Sequence, residues 1–502
     1  MCERGGPASP MSDFGEQTSS LRDLGRQAVR SAAALVVRQV LVQGLNVVGG
    51  VLLARLLTPD EFGLYGIVTF FLAFLIAFGG TGLASSLIRQ PSEPDELDYR
   101  SVYAVQQIFV VILAVALWAA SPWIAQLYRL SPDSAWVFRL VAASLLMTSF
   151  MVIPQVRLER RLAFDRLALV EITQALVYNT TAVFLAWRGY GPLSFAIALL
   201  LRSTAGAILA NWISPWKMGW SWDWSRARKH LGFGLFLQGG QVVSLIKDSI
   251  TPVFVGLYLG AGSVGYINWA QMVANYSVMT LMVFQRLYMP LFARLQHDRV
   301  LLTRAVERVL FATNALTAPI SILTLVLIEP ITRIIFGEKW LAALPIFYLL
   351  SLANLVVATS TPLQGLLNAL GRSKTTFLFT VIWALLTWFL GLPLIHWFGA
   401  LGFALANVGV QLSNFGLFVV AQRLVAVKLW RAASLPWVLA ILVGMGIYLL
   451  ELLVNIQNLY ALVGVFALGL GVYSGLVVWS RGEELRKIYT FFGKGDNGGR
   501  QG

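Results

Sequence analysis

The 502 residues are 57% hydrophobic and 12% charged, with a mean hydropathy of +0.71, a composition outside the range of a water-soluble domain. A single cysteine, Cys2, excludes an intramolecular disulfide and any cysteine-based metal site, and His230, His297 and His396 show no ligand spacing. The formal charge of +14 would suit a nucleic-acid partner, but its distribution along the chain gives it another origin.

A helix needs about 20 mostly apolar residues to cross a bilayer. Residues 1–30 are polar and lack the apolar core of a cleavable signal, so they read as a cytoplasmic tail, with Met11 as an alternative start. Spans are then predicted near 31–57, 62–88, 102–122, 136–156, 167–187 and 191–214. A Trp-rich stretch at 215–231 suits the headgroup level and reads as an interfacial cytoplasmic linker. Further spans are predicted near 232–258, 263–289, 305–328, 341–362, 375–398 and 401–422. Segment 423–480 adds a helix pair near 434–454 and 459–480, and 481–502 is a polar cytoplasmic tail. The expected fold is an all-α polytopic membrane protein of about fourteen transmembrane helices: an N-lobe (31–214), a C-lobe (232–422) and the added pair.

The division into lobes rests on a repeat. A shift of 208 positions sets Pro154 on Pro362, and brings Gly191, Leu193, Phe195 and Ala196 onto Gly399, Leu401, Phe403 and Ala404. A shift of 202 sets Leu57 and Gly63 on Leu259 and Gly265. Two similar halves that rock about a site between them are the design of a carrier.

With the N-terminus in the cytoplasm, the loops predicted outside hold only Arg55, Arg129, Arg188, Arg333 and Lys339. Most other Lys and Arg residues fall in cytoplasmic segments. This is the positive-inside rule obeyed loop after loop, and it places both ends in the cytoplasm. The positive charge therefore needs no nucleic acid. The outside loops are short, the longest near 123–135 and 329–340, which leaves no polar domain for the acid and base residues of a membrane polymerase or glycosyltransferase. No Gly-x-x-x-x-Gly-Lys-Ser/Thr element is present, which argues against ATP-driven transport by this chain alone.

Polar side chains within spans carry the functional signal, because a charge at mid-membrane depth costs about 2.5–3.5 kcal/mol and faces a cavity or a partner. In the first span Gln39, Gln43, Asn46 and Gly50 form a stripe flanked by Arg38. Glu171 and Gln174 lie one turn apart in the fifth, and Arg202 sits within the sixth. The seventh holds Lys247–Asp248, with Gln241, Ser244, Asp248 and Thr251 on one face. Adjacent helical positions point about 100° apart, so Lys247 and Asp248 are not an ideal pair with each other. The eighth span carries Asn268, Gln271 and Asn275, and the twelfth Asn407, Gln411 and Asn414. Such stripes line a lumen or simply bond helices together. The expected substrate-binding set is Arg38, Gln43, Asn46, Arg202, Gln241, Lys247, Asn275 and Gln411, with Arg38, Arg202 and Lys247 making the lumen cationic and suited to a pyrophosphate. Asp248 and Glu171 are the expected ion-coupling residues. No catalytic or metal-binding residue is expected. Pro252 and Pro290 either bend a gate or pack as kinks.

The stretch LARLLTPDEFGLYGIV at 53–68 resembles the signature region of the bacterial polysaccharide transporter family, the oligosaccharide-lipid flippases of the MATE-like superfamily. Its capsule and exopolysaccharide subgroup is the most similar. Weaker likenesses continue at 80–90, 247–271, 334–347 and 399–407. The resemblance implies translocation of undecaprenyl-diphosphate-linked oligosaccharides across the bacterial inner membrane, by alternating access around a cationic cavity. It also implies coupling to an H⁺ or Na⁺ gradient without a bound cofactor, and work alongside a polysaccharide polymerase and export machinery. Asp248 matches an acidic position common in the family's seventh span, whereas Lys247 beside it departs from the pattern. The alternatives are a cation-coupled exporter of the same fold, a lipid II flippase, and a membrane sugar polymerase or ligase.

Overall fold

The computed structural model describes residues 38–78, 86–88, 90, 92–219, 242–279, 281–427, 429–454 and 456–493. Among them the chain is helical and contains no strand. The first half comprises α1 (Arg38–Leu56), α2 (Pro59–Phe78), α3 (Glu96–Leu127), α4 (Ala135–Ser149), α5 (Val152–Arg160), α6 (Phe164–Trp187) and α7 (Leu193–Ile213). The second comprises α8 (Val242–Leu259), α9 (Ala261–Val278), α10 (Leu281–Leu295), α11 (Arg299–Val326), α12 (Leu344–Ala369), α13 (Ser373–Phe398), α14 (Ala400–Leu412) and α15 (Asn414–Leu424). Helices α16 (Leu429–Leu453) and α17 (Leu459–Gly493) follow.

Thirteen helices among the described residues are long and apolar enough to cross a membrane. The predicted span at 263–289 is the exception. It folds as α9 and α10, and the 18 residues of α9 carry Asn268, Gln271 and Asn275, which leave it too polar to qualify by composition. Within α8, Pro252 cannot donate a backbone hydrogen bond and its ring crowds the preceding turn. The helix responds with a wider π turn at Ile250–Val255, immediately after Lys247–Asp248.

The sequence repeat reappears in the backbone. Arg129 (φ 54°) and Gly337 (φ 99°), 208 positions apart, each take the left-handed conformation between a helix end and a 3₁₀ turn, Pro132–Ser134 in one half and Glu338–Ala343 in the other. Gly191 (φ 50°) and Gly399 (φ 59°), also 208 apart, open α7 and α14.

Helices α2 and α9 cross backbone to backbone. A β-carbon on Gly63 would lie 1.7 Å from the Ala261 carbonyl oxygen, and one on Gly265 would lie 1.9 Å from that of Pro59. Pro59 and Ala261 are separated by the same 202 positions as Gly63 and Gly265. The contact is thus reciprocal, as a two-fold axis between similar halves produces. Around it Leu57, Phe62, Ile67, Val264, Ile267 and Trp269 form part of one buried cluster drawn from both halves.

The last two helices attach to the second half. Trp437 Nε1 on α16 donates to Asn314 Oδ1 at 2.8 Å, and Thr359 on α12 donates to the same oxygen at 3.2 Å. Asn314 is fully buried, and Phe311, Leu323, Val443, Ile447 and Tyr473 pack around the junction.

Replacing Gly63 by alanine puts a methyl group inside the Ala261 peptide and forces α2 and α9 apart, at a cost of about 1–3 kcal/mol or more. Gly446, with nothing within 4 Å of its would-be β-carbon, accepts the same change. Thermal unfolding in detergent is expected to show a lowered midpoint for Gly63→Ala and an unchanged one for Gly446→Ala.

Candidate functional site

A polar cavity of about 450 Å³ lies beside the α2–α9 crossing, between the two halves. Helix α1 contributes Gln43, Asn46 and Gly50, positions three and four apart that share one helical face. Helix α2 adds Tyr65, Gly66 and Thr69, α6 adds Tyr178 and Asn179, α7 adds Arg202, and α9 adds Asn268, Met272 and Tyr276. Arg202 is the single ionised side chain among the described residues that line it.

Two glycines set the positions of the cavity amides. Gly49 admits Asn179, whose Oδ1 would lie 1.7 Å from a β-carbon there. Asn179 Nδ2 then donates to Asn46 Oδ1 at 3.1 Å and to the Ala175 carbonyl at 2.8 Å. With its oxygen engaged, Asn46 keeps its amino donors for the cavity. Gly66 likewise admits Asn268, whose Nδ2 would lie 1.7 Å from the missing β-carbon. Gly66 and Asn268 are again 202 apart, so the pseudo-symmetric position holds a gap on one helix and the amide that fills it on the other. The Arg202 guanidinium carbon lies 5.8 Å from the centre of the Tyr178 ring, within range of a cation–π contact, and has no acidic partner among the described residues.

Of the eight residues expected to bind substrate, Gln43, Asn46 and Arg202 meet in this cavity. Gln43 Nε2 also contacts Met279 Sδ at 2.8 Å, bridging α1 to the end of α9. Arg38 forms an ion pair with Glu171 at 2.9 Å, joining α1 to α6 within the first half. Asn275 accepts from Asn354 Nδ2 at 3.2 Å, and Gln411 Oε1 accepts from Asn414 at 2.7 Å where α14 passes into α15. None of Arg38, Asn275, Gln411 and Lys247 is among the lining residues. Gln241 lies outside the described residues. Lys247 and Asp248 do bond to each other, contrary to the 100° argument, because a flexible lysine stem curls back to its neighbour on an open helix face. Gln174 is buried against Met151 and fills the gap beside Gly206, so it joins helices rather than lining the cavity. Tyr65, Tyr178, Asn179 and Tyr276 escape a sequence reading. No polar stripe marks the tyrosines, and the only hint of Asn179 is the glycine opposite it.

The end of the bundle holding the α1–α2 and α8–α9 connections is closed. Trp340, wholly buried, stacks on Trp269 with ring centres 5.5 Å apart and meets Phe62 of the other half edge-on at 5.4 Å. Around this plug the halves exchange helix caps. The last carbonyls of α1 have no partner within their own helix. Trp340 Nε1 donates to Ala54 O at 2.8 Å, and Lys339 Nζ donates to Arg55 O at 2.8 Å and to Leu57 O at 2.6 Å. In return Arg55 donates to the Ile334 and Ile335 carbonyls at 3.1 and 3.3 Å. The pseudo-equivalent corner is not filled in this way: between Tyr128–Ser131 and Gly256–Ala261 it leaves a cavity of about 420 Å³ that Asp60, Glu61 and Arg129 line.

A many-spanned helical bundle with a polar cavity between internally repeated halves has the architecture of a membrane transporter. The chain belongs to the polysaccharide biosynthesis protein family, whose model matches residues 52–345. It is 24% identical over 405 residues to the lipopolysaccharide biosynthesis protein WzxC of Escherichia coli (strain K12), covering 78% of this chain and 80% of that one. It is also 24% identical over 345 residues to the succinoglycan biosynthesis transport protein ExoT of Rhizobium meliloti (strain 1021), covering 68% and 69%. Its fold matches that of the lipid II flippase MurJ in an inward closed conformation, with a TM-score of 0.72, 16% identity, and 90% and 99% of the two chains covered. A multidrug resistance MATE family transporter of the MOP superfamily gives a TM-score of 0.60 at 15% identity, over 81% and 99%.

If the exchanged caps hold this end shut, removing the cations exposes the cavity from that side. In a Cys2→Ser background, a cysteine at Thr69 is expected to react several-fold faster with a membrane-impermeant thiol reagent once Lys339→Gln and Arg55→Gln are combined. Equal labelling rates would show that the plug alone closes it.

Proposed function

We propose that this protein is a flippase for undecaprenyl-diphosphate-linked oligosaccharides, serving surface polysaccharide synthesis in the bacterial inner membrane, with both termini in the cytoplasm. The observation that carries the reading is the cavity: amides, tyrosines and one arginine, Arg202, with no acidic partner among the described residues, between two halves of a transporter fold. A sugar headgroup entering hydrocarbon would lose the water on its hydroxyls, and amide and phenol groups replace those bonds. Arg202 supplies paired N–H donors for a phosphate. Tyrosine rings offer apolar faces to the sugar, while the polyprenyl tail stays in lipid. No covalent bond changes, so the chain acts as a carrier and not as an enzyme. A cation exporter would need carboxylates in the cavity, and none is among its described lining residues.

Rocking of an N-lobe (31–214) against a C-lobe (232–422) would open and close the two ends of the cavity alternately. Glu171, ion-paired with Arg38, is the candidate for coupling to H⁺ or Na⁺: neutralising or occupying its carboxylate frees the guanidinium. Asp248, paired with Lys247 on an open face, is the second candidate. The polymerase and export machinery of the same pathway are the expected partners.

The test is a deletion strain complemented with variants, with lipid-linked sugars assigned to a leaflet by an impermeant probe. Deletion is expected to leave the repeat units facing the cytoplasm and to abolish surface polysaccharide. Arg202→Gln should lower transport roughly tenfold or more, the worth of one charged hydrogen-bonding group. Lys247→Gln should retain most of it. Sugars that reach the periplasm unpolymerised in the deletion strain would instead identify the protein as a polymerase.

The Arg38–Glu171 pair yields a separate expectation. Glu171→Gln should remove the dependence of transport on the ion gradient, whereas Asp248→Asn should leave it if Asp248 is only Lys247's partner. Transport rates measured with and without a proton or sodium gradient in proteoliposomes distinguish the two.

A further inference from the structure

Away from the cavity, one arginine stands in an environment that the transport reading does not use. Arg139 lies in the second turn of α4, with its guanidinium carbon 4.8 Å from the centre of the Trp136 ring and 5.7 Å from that of Trp118 on α3. The two indoles meet edge-on at 6.4 Å and 84°. Arg139 Nε donates to Ser121 Oγ at 3.1 Å, and the buried Ser121 hydroxyl is itself anchored to the Trp118 carbonyl at 2.8 Å. The group is therefore held in place on three sides. Its two terminal nitrogens have no acceptor among the described residues, and no carboxylate there pairs with it.

The surroundings face lipid. Val111, Val115 and Trp118 form an exposed apolar stripe on α3, and both indoles are about half exposed, Trp118 at 46% and Trp136 at 52%. Side chains on a helix lean towards its N-terminus. Arg139 therefore points to the membrane surface at which α4 begins, where tryptophans gather at headgroup level. A guanidinium at headgroup level lies within reach of lipid phosphates, and no carboxylate among the described residues competes for it. The indoles exclude water on its flanks, and their N–H groups add donors at the same level.

We propose that Arg139, Trp118 and Trp136 form a binding site for the phosphate of a phospholipid headgroup, on the lipid-facing side of the first half. A planar guanidinium offers two parallel donors to two phosphate oxygens. Arg139 already packs on both rings and repels a quaternary ammonium, so the phosphate and not a cationic headgroup tip is the group recognised.

The test uses the full-length protein, delipidated in a non-ionic detergent and titrated with phosphatidylglycerol carrying a diazirine on its acyl chain. After irradiation, labelled peptides are mapped by mass spectrometry. Labelling is expected on the α3 and α4 peptides that carry Trp118 and Trp136. It should fall roughly tenfold at this patch in Arg139→Gln, with other labelled peptides unchanged. Arg139→Lys, which keeps the charge and loses the paired donors, should fall in between and guards against a folding defect in the glutamine variant. Equal labelling by the corresponding diacylglycerol, or patch labelling untouched by Arg139→Gln, would overturn the proposal. Displacement of the label by inorganic phosphate alone would reassign the site to a soluble anion.

Discussion

The rest of the structure depends on the reciprocal crossing of α2 and α9. Two helices that meet through ordinary side chains keep their axes 8–10 Å apart. Glycine at both contact points removes that spacer, so each helix rests on the other's carbonyl at Pro59 and Ala261. Such close packing is the chief source of helix association in a bilayer, where apolar side chains gain nothing by leaving lipid. The crossing brings Gly66 against Asn268 one turn further on, and so fixes the point at which apolar packing gives way to a polar cavity. Closed end and cavity are successive levels of one contact.

This arrangement explains why the closed end is built from backbone groups. The α1 carbonyls that Lys339 and Trp340 reach are orphans of helix termination, needing water or a donor in any conformation. When the halves meet, side chains of one satisfy carbonyls of the other. When they part, water does the same. The difference between the two states is then small, as an element that must open and close repeatedly requires.

The sequence made the helices legible because span length and loop charge are properties of the chain itself. The repeat was legible too, and its register reappears in the left-handed turns at Arg129 and Gly337. The site was legible only in part. Gln43, Asn46 and Arg202 could be named from polarity within spans, but polarity is equally the mark of an interhelical bond. Asn275 and Gln174 make such bonds, and Gln411 bonds Asn414 one turn along its own span. What separates the two classes is the residue opposite, which periodicity along a single helix does not contain. Lys247 and Asp248 show a related limit. Ideal helical angles treat side chains as fixed vectors, and a lysine with four rotatable bonds is not one.

The structure also changes the charge of the expected lumen. The sequence alone places three cations there, Arg38, Arg202 and Lys247. Arg38 pairs with Glu171 and Lys247 with Asp248, neither cation is among the lining residues, and Arg202 is the cation of the described cavity. One fixed positive charge, against neutral amides and phenols, has a consequence for a carrier. A site that binds its cargo equally well in both conformations shifts neither, and one that binds too tightly never releases. Three unpaired guanidinium or ammonium groups would hold a diphosphate strongly. In the proposed flippase, Arg202 beside Tyr178 would meet the phosphate and leave the saccharide to neutral amides and phenols. Pairing Arg38 and Lys247 with carboxylates away from the cavity would thus keep recognition and release compatible.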